Sequence, residues 1–491
     1  MNTPTNPTNP TTTPTNPTNP TNSTGNTSNT HTNNTGHVSA GGADSSVISG
    51  GDKGSAVLAF GFIAAIAMWT VAYFSRLPVV MAPSWVTGVG MIAALVISAY
   101  LAGRYAGKGW KGGAMVGIIS ATINLLVLGS LLSREGAPSA WIYLPGLYLA
   151  SAVVAAGAAS FGRLSYVSPG VARSWHAAFA WAAVVATWLL LIAGGLVTGA
   201  DAGLSVPDWP RTFGSNMFLY PLSRMTGAIY FEHAHRLYGS LVGITTITLA
   251  IETWRTDKRK WLRVVVGLAI LAVVLQGVMG GYRVALAHTG EGIAVSTPAD
   301  ETTISAVLRV VHGVFGQLFF ALMVFIATAA SQLWYPRIST SDSVSADNTT
   351  LYVSARTDRL LTRVFLLAVI VQLILGTLVR HLDILVMGHV SFAVVVGCLA
   401  YAAGGRAWLL SGKGQFRLKR TGLILVIVIS LQLLLGLAAY VVTTMADASA
   451  TPSAGNVTLS TAHQATGAAV LGIAVVLLTL VHRLPVPEKD T

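Results

Sequence analysis

Four histidines recur along the chain at nearly constant intervals: His235, His312, His389 and His463 are 77, 77 and 74 residues apart. A small residue follows each one four positions later, as Gly239, Gly316, Ala393 and Gly467. Imidazole binds transition metals and, in axial pairs, haem iron. One histidine in an apolar helix is equally well explained by a hydrogen bond to a neighbouring helix, but four at one repeat position are not. A zinc site asks for three or four ligands in a tight tetrahedron, often with Cys or carboxylate, and Cys398 is the only cysteine. Two separated histidine pairs, His235/His312 and His389/His463, suit two haem sites better. The small residue one turn on shares the helix face of its histidine and would remove bulk that blocks a flat macrocycle.

A second signature, Gln-x-x-x-Gly, appears as Gln276–Gly280, Gln372–Gly376 and Gln432–Gly436. Together the two patterns read as an internal duplication, an architecture familiar in membrane proteins. The copies differ in one chemical respect. Three residues before His235 is Glu232, and three before His312 is Arg309. The matching positions of the second copy are Val386 and Ser460. Only the first pair therefore has a carboxylate and a guanidinium beside it. Glu232 reads either as a reactive group or as a charge favoured near a helix N-terminus. Arg309 reads either as an interfacial anchor or as a partner for a haem carboxylate. His233 points about 160° away from His235 on a helix and is not counted as a ligand. The asymmetry suggests that His389 and His463 hold a permanent haem that passes electrons, while His235 and His312 hold one that is acted on.

These side chains must be carried by elements that cross a bilayer. Charged residues are 10% of the 491 residues, apolar residues 53%, and mean hydropathy is +0.63. A soluble domain carries about 25% charge, so a soluble enzyme is excluded. About twelve apolar runs of spanning length follow residue 55. Four come first, near 56–75, 84–103, 113–132 and 140–161. Eight follow, near 176–199, 230–251, 263–284, 307–329, 360–379, 385–409, 421–444 and 460–482. The expected fold is an all-α polytopic membrane protein of about 12 transmembrane helices, the last eight forming two tandem four-helix bundles.

Residues 1–55 are expected to form a disordered Thr/Asn/Pro-rich tail and a Gly/Ser-rich linker, because 2–36 hold no apolar residue and cannot build a core. Residues 56–165 form a four-helix extension without histidine. Residues 166–491 form the core, with halves near 173–335 and 356–484 that look complete without the extension.

The net charge of +12 does not signal nucleic acid here. The Lys and Arg residues lie in alternate short loops, as with Arg255, Lys258, Arg259, Lys260 and Arg263 after the sixth run. The positive-inside rule then places these loops, and both termini, in the cytoplasm. All four histidines fall in the outer half of the membrane.

The segment Gly195-Leu-Val-Thr-Gly-Ala-Asp-Ala-Gly-Leu-Ser-Val-Pro-Asp-Trp-Pro210 resembles the first outer loop of the haem A synthase family. Glu232-His-Ala-His-Arg-Leu-Tyr-Gly239 resembles its Glu-x-x-His-Arg motif. Val311-His-Gly-Val-Phe-Gly-Gln317, Gly388-His389 and Ala462-His-Gln-Ala-Thr-Gly467 resemble its other ligand helices. The resemblance spans about residues 170–485. It implies eight helices with a pseudo-twofold duplication and oxidation of the C8 methyl of haem O to a formyl group, giving haem A for haem-copper terminal oxidases. It implies Glu232 as a catalytic residue, His235 and His312 as ligands of the substrate haem O, and His389 and His463 as ligands of haem b. Arg236 and Arg309 are the expected cofactor-binding residues. Many bacterial members carry a cysteine pair flanking Pro-Asp-Trp-Pro. This chain has none there, and Val206 precedes Pro207, so no thiol relay operates.

The expected setting is a prokaryotic cell membrane. Lipid, haem O, an electron donor of unknown identity, haem O synthase and oxidase assembly factors are the expected partners. The competing reading is a diheme b-type electron-transfer protein without substrate chemistry. Four histidines near one face count against it, because electron transfer across a membrane needs haems at different depths.

Overall fold

The computed structural model describes residues 53–129, 140–167, 174–287, 301–334, 348–411, 415–445 and 452–484. Most of the Thr/Asn/Pro-rich tail lies outside them. Twelve helices are seen among the described residues. The first four are α1 (Lys53–Ser75), α2 (Ser84–Ala106), α3 (Trp110–Leu128) and α4 (Ala140–Leu164). The next four are α5 (Trp175–Gly199), α6 (Gly227–Thr256), α7 (Lys260–Ala285) and α8 (Thr303–Ala330). The last four are α9 (Asn348–Leu382), α10 (Val386–Leu409), α11 (Phe416–Met445) and α12 (Ala454–His482). Arg211–Thr212 (β1) and Ser215–Asn216 (β2) pair as a short antiparallel ribbon between α5 and α6.

Eleven of these helices are long and apolar enough to cross a membrane. The exception is α6, whose first ten residues include Glu232, His233, His235 and Arg236. Its 30 residues would still reach about 45 Å at 1.5 Å per residue, so polarity and not length sets it apart. The chain is an all-α polytopic membrane protein.

Within the last eight helices, α5–α6, α6–α7, α7–α8 and α8–α5 pack as one closed ring, and α9–α10, α10–α11, α11–α12 and α12–α9 as another. The two four-helix bundles expected from the repeat are therefore present. They join through α5 with α12, α8 with α12, and α8 with α9. Where the bundles join, Gly195 and Gly199 of α5 lie against Thr461 and Val457 of α12 and Arg380 of α9, and Arg309 of α8 reaches the His381 carbonyl of α9.

The first four helices are tied together by backbone contact at small residues. Gly113 and Gly117 of α3 lie against the Ala155 and Ser151 carbonyls of α4, and Gly103 of α2 against that of Ala159. Small residues in the stretch 112–117 thus allow the close backbone approach of α3 and α4. The extension is less separate than the sequence suggests. Phe62, Ala65 and Trp69 of α1 share one buried cluster with Phe179 of α5, Leu241 of α6, Met323 of α8 and Ala468 of α12. Tyr230 of α6 donates to the Tyr73 carbonyl at 2.6 Å, and Ser55 hydrogen-bonds the buried Glu252 at the far end of α6. So α1 backs the helix that carries Glu232 and His235 and shares its buried cluster with the eight-helix core.

Candidate functional site

Each repeat histidine sits near the start of the second helix of a hairpin and packs on a glycine of the first. A methyl group placed on Gly194 (α5) would lie 3.1 Å from Cε1 of His235 (α6). The same construction on Gly280 (α7) gives 3.3 Å to His312 (α8). Gly376 (α9) gives 2.8 Å to His389 (α10), and Gly436 (α11) gives 2.8 Å to His463 (α12). Four Gly–His contacts repeat around the two bundles, and any side chain at the glycine would displace the ring.

The glutamines of the second signature complete this frame. Gln276 donates to the His312 carbonyl at 3.2 Å and Gln372 to that of His389 at 3.0 Å. The Gln432 amide lies 3.4 Å from His463 Nε2, and the His463 Nδ1 faces the Gln432 carbonyl at 3.2 Å. A small residue four positions past the histidine is needed for a different reason than the sequence suggested. A methyl on Gly316 would meet the Gln276 amide at 3.3 Å, and one on Gly467 the Gln432 amide at 3.1 Å. These glycines accommodate the glutamine. In the first hairpin the position equivalent to the glutamine is Leu190, and no side chain comes within 4 Å of a methyl built on Gly239. Of the three glycines at this position, Gly239 alone has open space beside it.

The second pair is brought together directly: the His389 and His463 rings lie 6.2 Å apart, centre to centre, at 87°. Two imidazoles bound axially to one metal at about 2.0–2.1 Å through nitrogen have centres roughly 6 Å apart, so the pair fits one iron. The Nδ1 atoms of His235, His312 and His389 are buried without a hydrogen-bond partner. An imidazole that binds metal through Nε2 carries its proton on Nδ1, so these atoms are the donors such a site still has to pair. Among the described residues no three His, Cys, Asp or Glu side chains form a metal-sized cluster.

Around the first pair the polar groups are engaged with the loop between α5 and α6. Glu232 is buried. Its Oε1 takes the Arg236 guanidinium at 2.6 Å and its Oε2 the Val206 N–H at 2.7 Å. Arg236 also donates to the carbonyls of Val206 at 3.0 Å, Asp208 at 2.7 Å and Arg211 at 3.2 Å. Asp208 caps the turn of the ribbon by accepting from Phe213 and Gly214, both at 2.7 Å. Trp209 lies flat on Gly281, next to the glycine under His312. His233 faces away, as expected, and meets Thr212 Oγ1 at 3.1 Å. The loop thus covers the end of the first bundle that carries Glu232 and His235. Its counterpart between α9 and α10 is only Asp383–Leu385, too short to cover the second.

Sequence reasoning missed several residues here. Glu301, just before α8, has its side chain covered and bridges Arg283 and Arg309, each at 3.3 Å. Arg283 also donates to the Gly203 carbonyl of the outer loop at 2.9 Å. Arg309 donates to the His381 carbonyl at 2.7 Å, and Arg380 to that of Gly195 at 3.1 Å. Arg283, Arg380 and His381 lie at helix ends, where a charged residue reads as an interfacial anchor; nothing in their spacing distinguishes them.

The comparison with known proteins falls on this region. Residues 177–387 match the cytochrome oxidase assembly protein family. The match begins in α5 and covers Glu232, His235, Arg236, Arg309 and His312; it ends just short of His389. A heme A synthase of Lysinibacillus sphaericus is 36% identical over 108 residues, which is 22% of this chain and 34% of that protein. A protoheme IX farnesyltransferase of Roseiflexus castenholzii is 26% identical over 229 residues, 47% of this chain and 36% of that protein. The chain spans about a third of the length of the curated relatives it matches.

Proposed function

We propose that this protein is a haem A synthase that oxidises the C8 methyl of haem O to a formyl group in support of cytochrome oxidase assembly. The observation that carries the reading is the inequality of two otherwise matched histidine sites. Both have the Gly–His frame, but only the first is covered by a loop clamped through Glu232 and Arg236 and has open space at Gly239. The family match and the similarity to a heme A synthase support the same assignment. A protein that only passes electrons needs no such difference.

In this reading His389 and His463 hold haem b, and His235 and His312 hold the substrate haem O. Haem, when bound, supplies a redox-active iron. The chain's own residues do the rest. Gly194, Gly280, Gly376 and Gly436 let the imidazoles stand close to the neighbouring helix, and the glutamines fix three of the four histidine positions. The outer loop shields the first site from water. Glu232, one helical turn before His235, would hold or move a proton while an external two-electron oxidant acts twice to hydroxylate the methyl and the resulting diol loses water to give the formyl group. The positive-inside orientation places both pairs on the outer side and both termini in the cytoplasm.

The test is expression with a haem O source, followed by extraction and chromatography of haems. Haem A or a hydroxylated haem O is expected. Two bound haems with unaltered haem O would replace the enzyme by an electron-transfer protein.

A further inference from the structure

The junction of the two bundles contains more positive charge than the described residues neutralise. Arg283 of α7 and Arg309 of α8 share the single carboxylate of Glu301. Arg380, near the outer end of α9, has no carboxylate partner among the described residues; its guanidinium reaches across to the Gly195 carbonyl of α5. Arg309 makes the reciprocal crossing, from α8 to the His381 carbonyl at the end of α9. Gly199, Gly195 and Gly313 have no side chain where Arg380, Gln464 and His381 approach. The cluster is also short of partners. Nε of Arg309, Nε of Arg380, Nδ1 of His381 and Oγ1 of Thr461 are all buried without one. Three guanidiniums against one carboxylate, with four unpaired polar atoms, is costly for a site meant to stay empty.

The cluster adjoins both histidine pairs: Arg309 is three residues before His312, Arg283 three past the Gly280 that backs His312, and Arg380 four past the Gly376 that backs His389. The Gly195 carbonyl that Arg380 reaches is next to Gly194 beneath His235, and Thr461 is two residues before His463. Arg380 belongs to the second half, and Arg283 and Arg309 belong to the first. A planar guanidinium suits a carboxylate above other anions that a buried macrocycle carries. We infer that Arg283, Arg309 and Arg380 form one anion site, shared by both bundles, that binds carboxylate side chains of the macrocycles held at the two histidine pairs. The inference rests on the haem reading above and adds to it a shared recognition element that belongs to neither half alone. It also accounts for Arg380 and Arg309 each contacting the opposite half.

Titration of the haem-depleted full-length chain with haem and with haem dimethyl ester tests it, because esterification removes the carboxylates and leaves the macrocycle and iron unchanged. Wild type is expected to bind free-acid haem at least about tenfold more tightly than the ester, in line with one lost charge-assisted contact. Arg380→Gln should erase most of that preference, and Arg380→Lys should restore part of it. Elution profile and thermal melting confirm that each variant is folded. The sharing is read in a His389→Ala background, where only the first pair binds; Arg380→Gln should still weaken haem binding there. Equal affinity for haem and ester in wild type overturns the inference and leaves the haem reading standing. So does a full preference in Arg380→Gln. No effect of Arg380→Gln in the His389→Ala background would confine Arg380 to the second site and overturn the sharing. Failure to bind either form would instead overturn the haem reading on which this one depends.

Discussion

The contact between each histidine and its glycine yields a graded prediction. A methyl on Gly436 or Gly376 would sit 2.8 Å from the Cε1 of His463 or His389. Carbon atoms are at rest at about 3.5–4.0 Å, so the ring or the helix must move by roughly 0.7–1.2 Å. On Gly194 and Gly280 the starting distances are 3.1 and 3.3 Å, and the shift needed falls to roughly 0.2–0.9 Å. Overpacking of a well-fitted interior costs ~1–3 kcal/mol, which corresponds to about 5- to 150-fold in affinity for whatever the imidazole must hold. Gly436→Ala and Gly376→Ala should therefore lose most of their haem during purification, Gly194→Ala less, and Gly280→Ala least. Haem per protein, read from the reduced pyridine haemochrome spectrum and from haem titration, gives the order. Wild-type haem content in both Gly436→Ala and Gly376→Ala would refute the reasoning, since it would mean that the ring positions do not set haem affinity. So would a reversed order, with Gly280→Ala the worst.

Other perturbations probe other parts of the molecule. His389→Ala and His463→Ala should each remove most of the low-spin b-type absorbance from purified protein; an unchanged spectrum would remove the second pair from the site. Glu232→Gln keeps the shape but weakens the ion pair with Arg236. It should bind haem yet yield little haem A by chromatography of extracted haems, and a normal yield would reduce Glu232 to a loop clamp. Deleting residues 1–165 removes Phe62, Trp69 and Tyr73 from their contacts with α5 and α6, so a broadened or aggregated elution profile is expected, and a monodisperse haem-loaded product would count against the shared core. At the other end of α6, burial raises the pKa of Asp257, but the hydrogen bonds and charge of Arg259 outweigh this and hold it below its ordinary 3.8. A depressed carboxylate stabilises the folded state above its unfolded pKa, and that stability is lost as pH falls through the folded value. The melting-temperature gap between wild type and Asp257→Asn should thus be full near neutral pH and shrink below about pH 3.8; a constant gap at about pH 3 would contradict the assignment.

Much of the architecture was legible because the forces that set it act on local composition. A bilayer core demands about 20 apolar residues per crossing, and eleven of the twelve helices satisfy that demand outright. The twelfth, α6, coincides with the apolar run near 230–251, although its polar first turns lower its hydropathy. The spacing of the four histidines carried the duplication, since a repeat constrained to one face at one depth must recur at nearly fixed intervals.

What the sequence determined by itself was the membrane class, the count and approximate bounds of the helices, the two matched halves and the four histidines with their Glu232 asymmetry. Tertiary structure decided which groups meet. Gly316 and Gly467 proved to seat glutamines from the preceding helix, because a residue's neighbours across a helix interface cannot be read from its own helix. The extension's α1 became part of the core because α5 and α6 present it with Phe179 and Leu241. Glu232 and Arg236 became the fastening of the outer loop. Arg283, Glu301, Arg309, Arg380 and His381 are scattered over about 100 residues and resemble ordinary helix-end charges one by one. Only the meeting of α5, α8, α9 and α12 at their outer ends concentrates them, since charge accumulates where helices converge and not where residues are adjacent in the chain.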